Sequence, residues 1–221
     1  MEIAYKPFGG DKLLKEEFER LIKRFSIKTI IETGTYVGDT TKELSTMVKS
    51  VHTIETNKQF YDIAKWNCRN LTNVTFHLGS SPEIIERVLP MVIKPVLFFL
   101  DAHWFNYWPI LDELKVIGKK GGKNSVIVIH DFYVPGKNFG YDSYVKVNGG
   151  MGEALGYLDA LLRLIAPRVS EIIFKKQRLD WNYIKKSIVN INPEYKHFYN
   201  KKGWGGDERS NIYNSMKAST L

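Results

Sequence analysis

The sequence predicts an α/β protein with a doubly wound sheet and helices on both faces. Short apolar segments with the pattern of buried strands alternate with amphipathic segments between residues 11 and 131, as in parallel strands joined by helices. A turn with two glycines, Gly34 and Gly38, links the first strand to the next helix. Such a turn lets backbone approach a ligand at a helix N-terminus. Ligands of these sheets bind beyond the carboxyl ends of the strands.

The predicted elements follow in regular order. Residues 11–25 have apolar side chains at helical spacing, including Phe18 and Leu21, which predicts an amphipathic helix. The fourth strand is a continuous apolar run, typical of a central parallel strand covered on both faces. Ser81 before Pro82 is interpreted as a helix N-cap. Strands are predicted at 29–32, 51–55, 74–78, 95–101 and 125–131, and helices at 40–48, 58–67, 82–88 and 108–117.

The C-terminal region has a different character. Residues 132–150 are rich in glycine and tyrosine and are interpreted as a long loop, of the kind that often forms an active-site lid. Residues 152–165 have the leucine spacing of a helix, whose apolar face is interpreted as core or as a homodimer contact. Two segments, 195–199 and 209–213, are expected to form a closing antiparallel pair.

The composition indicates one domain without a membrane span. The chain has 221 residues, 43% of them apolar, with no apolar run of membrane-spanning length and no signal-peptide pattern at its start. The single cysteine, Cys68, excludes an internal disulfide, fits a reducing, cytoplasmic compartment, and is interpreted as a passive thiol. We divide the chain into a helical cover (1–27), a core (28–135) and a region with a lid, a helical insertion and closing strands (136–221).

The charge balance permits an anionic partner without requiring one. The formal net charge is +8, but the basic residues are scattered in pairs such as Lys119-Lys120 and Lys185-Lys186. A scattered distribution favours a solvated surface over a nucleic-acid interface. Nucleic acid is therefore disfavoured as the partner, and no membrane contact is expected.

Acidic residues gather at one edge of the predicted sheet. Four of the five strands end in a carboxylate, namely Glu32, Glu55, Asp101 and Asp131. Neighbouring carboxylates repel one another unless a cation, a sugar or another hydrogen-bonding ligand satisfies them. Glu55 lies about twenty residues after the glycine turn, where an acid at the tip of the second strand can accept hydrogen bonds from ribose hydroxyls.

Together these residues resemble the class I S-adenosylmethionine-dependent methyltransferases over about residues 29–132. The segment Glu32-Thr-Gly-Thr-Tyr-Val-Gly38 is similar to the first motif of that family. The resemblance implies a Rossmann-like, seven-stranded sheet, mostly parallel with an antiparallel last strand. It places Glu55 at the ribose and Asp101 beside the reacting methyl group. The other residues implied at the cofactor are Glu32, Thr33, Gly34, Thr35, Gly38, Thr40 and Thr41 near the methionine part, and Gly79, Ser80 and Ser81 near the adenine.

Within that family, Leu100-Asp-Ala-His-Trp104, the Asp112-Glu113-Leu114 helix and Ile129-His-Asp-Phe132 resemble the macrocin O-methyltransferase group. That resemblance implies transfer to a hydroxyl of a sugar, a glycan or a related small molecule, often with a divalent metal. Two arrangements remain open. His103 acts as base with Asp101 orienting it, or Asp101, His130 and Asp131 ligate Mg²⁺ or Mn²⁺. Trp104, Tyr107 and Trp108 are expected to contact the acceptor.

Rival interpretations also remain. NAD binding is the main rival for the glycine turn, but this Gly-x-x-x-Gly turn lacks the tighter Gly-x-Gly-x-x-Gly spacing that suits the pyrophosphate of NAD. A nucleic-acid methyltransferase would use the same cofactor with another acceptor. A non-catalytic protein on the same fold would use the apolar face of 152–165 as its interface, since fold alone does not establish activity.

Overall fold

The computed structural model describes residues 6–102, 109–120, 125–130, 165 and 188, and the backbone of 196–199 and 210–214. Five parallel strands form the main part of its sheet in the order β3-β2-β1-β4-β5. Their bounds are Thr29–Thr33 (β1), Ser50–Glu55 (β2), Val74–Leu78 (β3), Val96–Leu100 (β4) and Ser125–His130 (β5). The predicted α/β, Rossmann-like fold with a parallel sheet is confirmed.

The parallel part of the sheet has five strands, whereas the sequence predicted seven strands in all. Two further segments, described by their backbone alone, lie beyond β5: Lys196–Tyr199 (β6) and Ser210–Asn214 (β7). β7 runs antiparallel to β5 and to β6. The expected lid and most of the expected helix at 152–165 lie outside the described residues. Ile165, at the end of that helix, is helical and exposed.

In the part of the chain where helix bounds are described, five helices connect or cover the strands, and a 3-10 turn, Pro7–Gly10, precedes the first helix. Asp11 caps α1 through hydrogen bonds from the backbone N–H groups of Leu13 and Leu14, as expected for an N-terminal acid. The helix bounds are Lys12–Phe25 (α1), Asp39–Met47 (α2), Lys58–Asn67 (α3), Ser81–Val88 (α4) and Ile110–Lys120 (α5). The described helices include none with the length and hydrophobicity to cross a membrane.

Two apolar layers cover the sheet. On one face α4 and α5 pack over residues such as Ile31 and Phe98; on the other, α1 and the 3-10 turn pack over Ile30 and Phe99. All five residues of β4 are buried, which confirms its expected central position. The two layers leave the carboxyl ends of the strands as the edge where polar side chains gather.

One capping prediction was wrong. α4 begins at Ser81, so Ser80 takes the N-cap position, and it makes no side-chain capping hydrogen bond. The Ser81 hydroxyl instead donates to Glu113 in α5. The sequence signal of Ser before Pro located the helix start to within one residue, but it did not reveal the tertiary partner of the hydroxyl.

Candidate functional site

Glu32 is a buried acid near the end of the first strand. Its side chain is 1% exposed, and its Oε2 accepts a 2.6 Å hydrogen bond from the Thr41 hydroxyl in α2. The other oxygen, Oε1, has no hydrogen-bond partner among the described residues. Burial raises the pKa of Glu32 to about 7, and the hydroxyls of Thr41 and Thr53 oppose that rise only in part. A buried carboxyl oxygen without a partner is stabilised by a hydrogen-bond donor or a cation from a ligand.

Glu55 fastens two turns at the end of β2. Its Oε2 accepts the backbone N–H of Tyr36 at 2.9 Å, and its Oε1 accepts that of Asn57 at 2.9 Å. The residue is 3% exposed. A carboxylate has about four acceptor positions, so two remain for other donors. The glycine turn and the start of α3 are therefore both built around this acid.

Both glycines of the turn are required by protein packing. Gly34 has φ +86°, and a Cβ there would lie 2.6 Å from the backbone oxygen of Asp101. Gly38 has φ +88°, and its Cβ would lie 2.9 Å from Cys68 Sγ. Left-handed backbone and close contacts both favour glycine. The glycine spacing alone is thus explained without a ligand, and the evidence for one rests on the acids.

Three threonines around the turn have separate partners. Thr35 Oγ1 lies 2.5 Å from Thr53 Oγ1. Thr40 Oγ1 accepts the backbone N–H of Phe8 at 2.9 Å, so its hydroxyl holds the N-terminal turn. Thr33 Oγ1 accepts the backbone N–H of Asp101 at 3.3 Å. These contacts link β1, β2 and β4 at the same edge of the sheet.

Asp101 and His130 lie side by side. Leu100 pairs with Ile129 in the ladder of β4 and β5, which brings the next residues together. His130 Nδ1 is 3.0 Å from Asp101 Oδ1, and the two side chains keep 17% and 26% exposure. The sequence placed these residues together as metal ligands. The structure shows an acid–imidazole pair at the sheet edge whose side chains are partly exposed, while Asp101 Oδ1 and both ring nitrogens of His130 are buried.

Glu113 completes the acidic group, and no role was assigned to it from the sequence. It lies in α5, is 1% exposed, and accepts a 2.5 Å hydrogen bond from the Ser81 hydroxyl. Burial raises the pKa of Glu113 to about 7, and the nearby Asp101 adds to the rise. Its place inside a helix, apart from any strand end, gave no signal in the sequence beyond the short acidic pair Asp112-Glu113.

These acids create an electrostatically unfavourable group. Asp101 raises the pKa of both Glu32 and Glu113, and Glu55 further raises that of Glu32. A cationic ligand would relieve this repulsion. The sulfonium and amino groups of S-adenosylmethionine fit that requirement, whereas a pyrophosphate does not. The acidic side chains at this edge therefore suit the positively charged cofactor that the resemblance implied.

Five residues expected at the site lie outside the described residues: His103, Trp104, Tyr107, Trp108 and Asp131. Within the described part of the chain, no group of three or more His, Cys, Asp or Glu side chains could hold a metal ion. Gly79 and Ser80 are described, and they form the turn between β3 and α4 that was expected near the adenine, with Gly79 at φ +140°. Cys68 is buried, and burial raises its thiol pKa to about 11, which confirms a passive thiol.

Solved structures share this fold. The O-methyltransferase from Bacillus cereus in complex with SAH matches at 15% identity and TM-score 0.59, over 96% of this chain and 81% of that one. The SAH-bound Podospora anserina methyltransferase PaMTH1 matches at 12% identity and TM-score 0.51, over 93% and 79%. The O-methyltransferase TomG from Streptomyces achromogenes, in complex with SAM, matches at 14% identity and TM-score 0.50, over 90% and 78%. No family model and no curated protein matches the chain. The fold is therefore that of the α/β methyltransferases.

Proposed function

We propose that this chain is an S-adenosylmethionine-dependent O-methyltransferase whose acceptor is a hydroxyl of a sugar, a glycan or a related small molecule. The observation that carries the proposal is Glu32, a fully buried acid whose Oε1 has no partner among the described residues. It lies within a group of acids at the ligand-binding edge of a methyltransferase fold. SAM- and SAH-bound O-methyltransferases among the solved structures of this fold support the same cofactor.

The cofactor is proposed to lie across the ends of β1, β2 and β4. Glu32 and the turn from Gly34 to Gly38 would face its methionine part, where Glu32 Oε1 accepts a hydrogen bond from the amino group. Glu55 would accept the ribose hydroxyls with the acceptor positions that Tyr36 and Asn57 leave open. Because Glu55 already orders the turn through those backbone groups, the ribose would meet a preorganised acid. Gly79, Ser80 and Ser81 would border the adenine.

The reaction needs a base near the methyl group. When bound, S-adenosylmethionine supplies a methyl carbon activated by a positively charged sulfur. A sugar hydroxyl is a poor nucleophile at neutral pH, so the chain must remove its proton and align its oxygen. Asp101 is proposed to orient the base. His103 is the base expected from the sequence, and His130, whose Nδ1 lies 3.0 Å from Asp101 Oδ1, is proposed as the alternative base.

A divalent ion is a further proposal for this edge. Asp101 and His130, whose Oδ1 and Nδ1 lie 3.0 Å apart, would be two of its ligands. Asp131 is proposed as the third ligand. The ion would lower the pKa of the acceptor hydroxyl. Trp104, Tyr107 and Trp108 are proposed to stack on the acceptor, and a homodimer through the 152–165 face remains a proposal.

The deciding experiment is calorimetric titration of the whole chain with S-adenosylhomocysteine. We expect micromolar binding by the wild-type protein and a loss of at least tenfold in affinity for Glu32→Ala and for Glu55→Ala. Glu43→Gln, which removes an ion pair between α2 and Lys15 of α1, is the matched control and should bind normally. Absence of wild-type binding would move the weight to a non-catalytic protein on this fold.

The same titration separates the remaining proposals. Adding EDTA, then Mg²⁺ or Mn²⁺, shows whether an ion contributes to binding. A screen of glycans and small hydroxylated molecules, monitored by release of S-adenosylhomocysteine, identifies the acceptor class. If EDTA leaves activity unchanged, substitution of His103 or of His130 by alanine identifies the base, because loss of the base then lowers kcat strongly while cofactor affinity is unchanged. If RNA or DNA oligonucleotides alone were methylated, the sugar or glycan acceptor would be wrong.

A further inference from the structure

Glu113 links α5 to three segments that border the proposed cofactor site. Its Oε1 accepts the hydroxyl of Ser81, the first residue of α4. The Thr33 hydroxyl, at the end of β1, lies close enough to lower its pKa. That hydroxyl also accepts the backbone N–H of Asp101 at 3.3 Å. One buried carboxyl group therefore joins the ends of β1 and β4 and the start of α4.

The start of α4 depends on this contact more than on local capping. Ser80 occupies the N-cap position without a side-chain hydrogen bond to the helix. Ser81 is 4% exposed, and its hydroxyl donates to Glu113 in α5. Since Gly79 and Ser80 immediately precede this residue, the position of their turn is tied to Glu113.

A buried acid is a costly way to pack two helices. Removing a carboxyl group from water is unfavourable unless it is well hydrogen-bonded, and Asp101 and Asp112 make its ionisation less favourable still. An apolar side chain would fill the α4–α5 interface without that cost. The carboxyl group gains its partners, Ser81 and Thr33, from the elements that border the proposed site.

We propose that Glu113 is a positioning residue of the cofactor pocket, which holds the Gly79–Ser81 turn in place against the ends of β1 and β4. This inference rests on the proposed function, because the turn borders the adenine only if the cofactor is bound as described. Glu113 itself does not touch the reacting atoms. Its effect is on how tightly the adenosine part of the ligand binds.

The test compares two ligands on the full chain, S-adenosylhomocysteine and 5′-methylthioadenosine, which lacks the amino-acid part. Glu113→Ala leaves the hydroxyls of Ser81 and Thr33 without this acceptor, and we expect its affinity for both ligands to fall about tenfold. Glu113→Gln keeps an acceptor oxygen and a polar group of the same size, so it should bind within about threefold of wild type. Asp112→Asn removes an exposed neighbouring acid that pairs with Lys115 and should bind normally.

Each outcome is decisive. Thermal unfolding without ligand first establishes that each variant is folded. If folded Glu113→Ala binds both ligands as tightly as wild type, Glu113 serves stability alone and the inference is wrong. If only S-adenosylhomocysteine binding falls, Glu113 acts on the methionine side, which also overturns the assignment. If Glu113→Ala does not fold, Ser81→Ala is used in its place and should weaken both ligands several-fold. If wild type binds neither ligand, it is the proposed function that fails.

Discussion

The hydroxyl of Thr41 donates a 2.6 Å hydrogen bond to Glu32 Oε2, whereas Glu32 Oε1 has no hydrogen-bond partner among the described residues. Thr41 belongs to α2, directly after the glycine turn, whereas Glu32 belongs to β1. The contact joins the two ends of the glycine turn and leaves the buried Glu32 Oε1 without a partner among the described residues. A helix that follows a glycine turn thus sets the orientation of the acid that precedes the turn.

Thr41→Val should reveal the value of this contact. Valine has the same shape but cannot donate, so a buried acceptor is left unsatisfied and the free energy of unfolding should fall by about 1–2 kcal/mol. The pKa of Glu32 should also rise further, because the Thr41 hydroxyl lowers it. Chemical denaturation measures the first effect. Thr46→Val is the control, since the Thr46 hydroxyl bonds a backbone oxygen at an exposed position of the same helix.

Affinity for the cofactor should rise with pH. Burial holds the pKa of Glu32 near 7, so the ionised form that attracts a cation is a minority at pH 6 and a majority at pH 8. We expect S-adenosylmethionine to bind about tenfold more tightly at pH 8 than at pH 6. Calorimetry across this range should show the slope in wild type and its loss in Glu32→Gln. Thr41→Val should move the midpoint to higher pH. A slope that survives Glu32→Gln would assign the pH dependence to another group.

Stability without ligand should change in the opposite direction. The folded-state pKa of Glu32 and that of Glu113 are both raised from 4.5 to about 7. The folded protein therefore binds more protons than the unfolded chain between these values. Their contribution to the free energy of unfolding is complete below about pH 4.5, falls as the pH rises, and is lost above about pH 7. Each group should account for up to about 3 kcal/mol.

The measurement for this effect is denaturant unfolding at a series of pH values. Glu32→Gln and Glu113→Gln imitate the protonated acids, so each should be more stable than wild type at pH 8 and similar to it at pH 4.5. Glu16→Gln, an exposed position of α1, controls for the change in net charge. Equal pH profiles for wild type and both buried variants would show that these acids are not strained by burial.

The sequence was sufficient for the parts of this site that follow from local pattern. Apolar runs and their spacing located α3 and β3 at their observed bounds, although Ala64 is the one buried residue of α3 and no residue of β3 is buried. Strand ends placed Glu32, Glu55 and Asp101 at a common edge because parallel strands share a direction. The neighbouring ends of β4 and β5 likewise accounted for Asp101 and His130. Periodicity therefore gave the positions of acids that stand at strand ends.

Tertiary contacts explain what the sequence could not provide. Glu113 is separated from Ser81 by 32 residues, and only the packing of α5 on α4 reveals that they meet. The motif spacing also overstated the ligand evidence from the glycines. Gly34 contacts the backbone of Asp101, and Gly38 contacts α3 through Cys68, so either glycine could be required in a protein without a cofactor.

The two glycines should differ in how their substitution can be relieved. Both have positive φ, which costs an alanine about 1–2 kcal/mol. Gly34→Ala also places its Cβ against the backbone oxygen of Asp101, which cannot move without shifting β4, so we expect a total loss of 3 kcal/mol or more, on the order of a severe core substitution. Gly38→Ala meets the Cys68 side chain instead and should cost about 2 kcal/mol.

The close contact between position 38 and Cys68 can be tested separately. The double variant Gly38→Ala, Cys68→Ala should lose less free energy of unfolding than the sum of the losses of its two single variants, because it removes the sulfur that the new Cβ would meet. Denaturant unfolding of wild type, Gly38→Ala, Cys68→Ala and the double variant forms a double-mutant cycle, and Gly34→Ala is measured beside it. Independent, additive effects of Gly38→Ala and Cys68→Ala would show that the close contact does not constrain the turn.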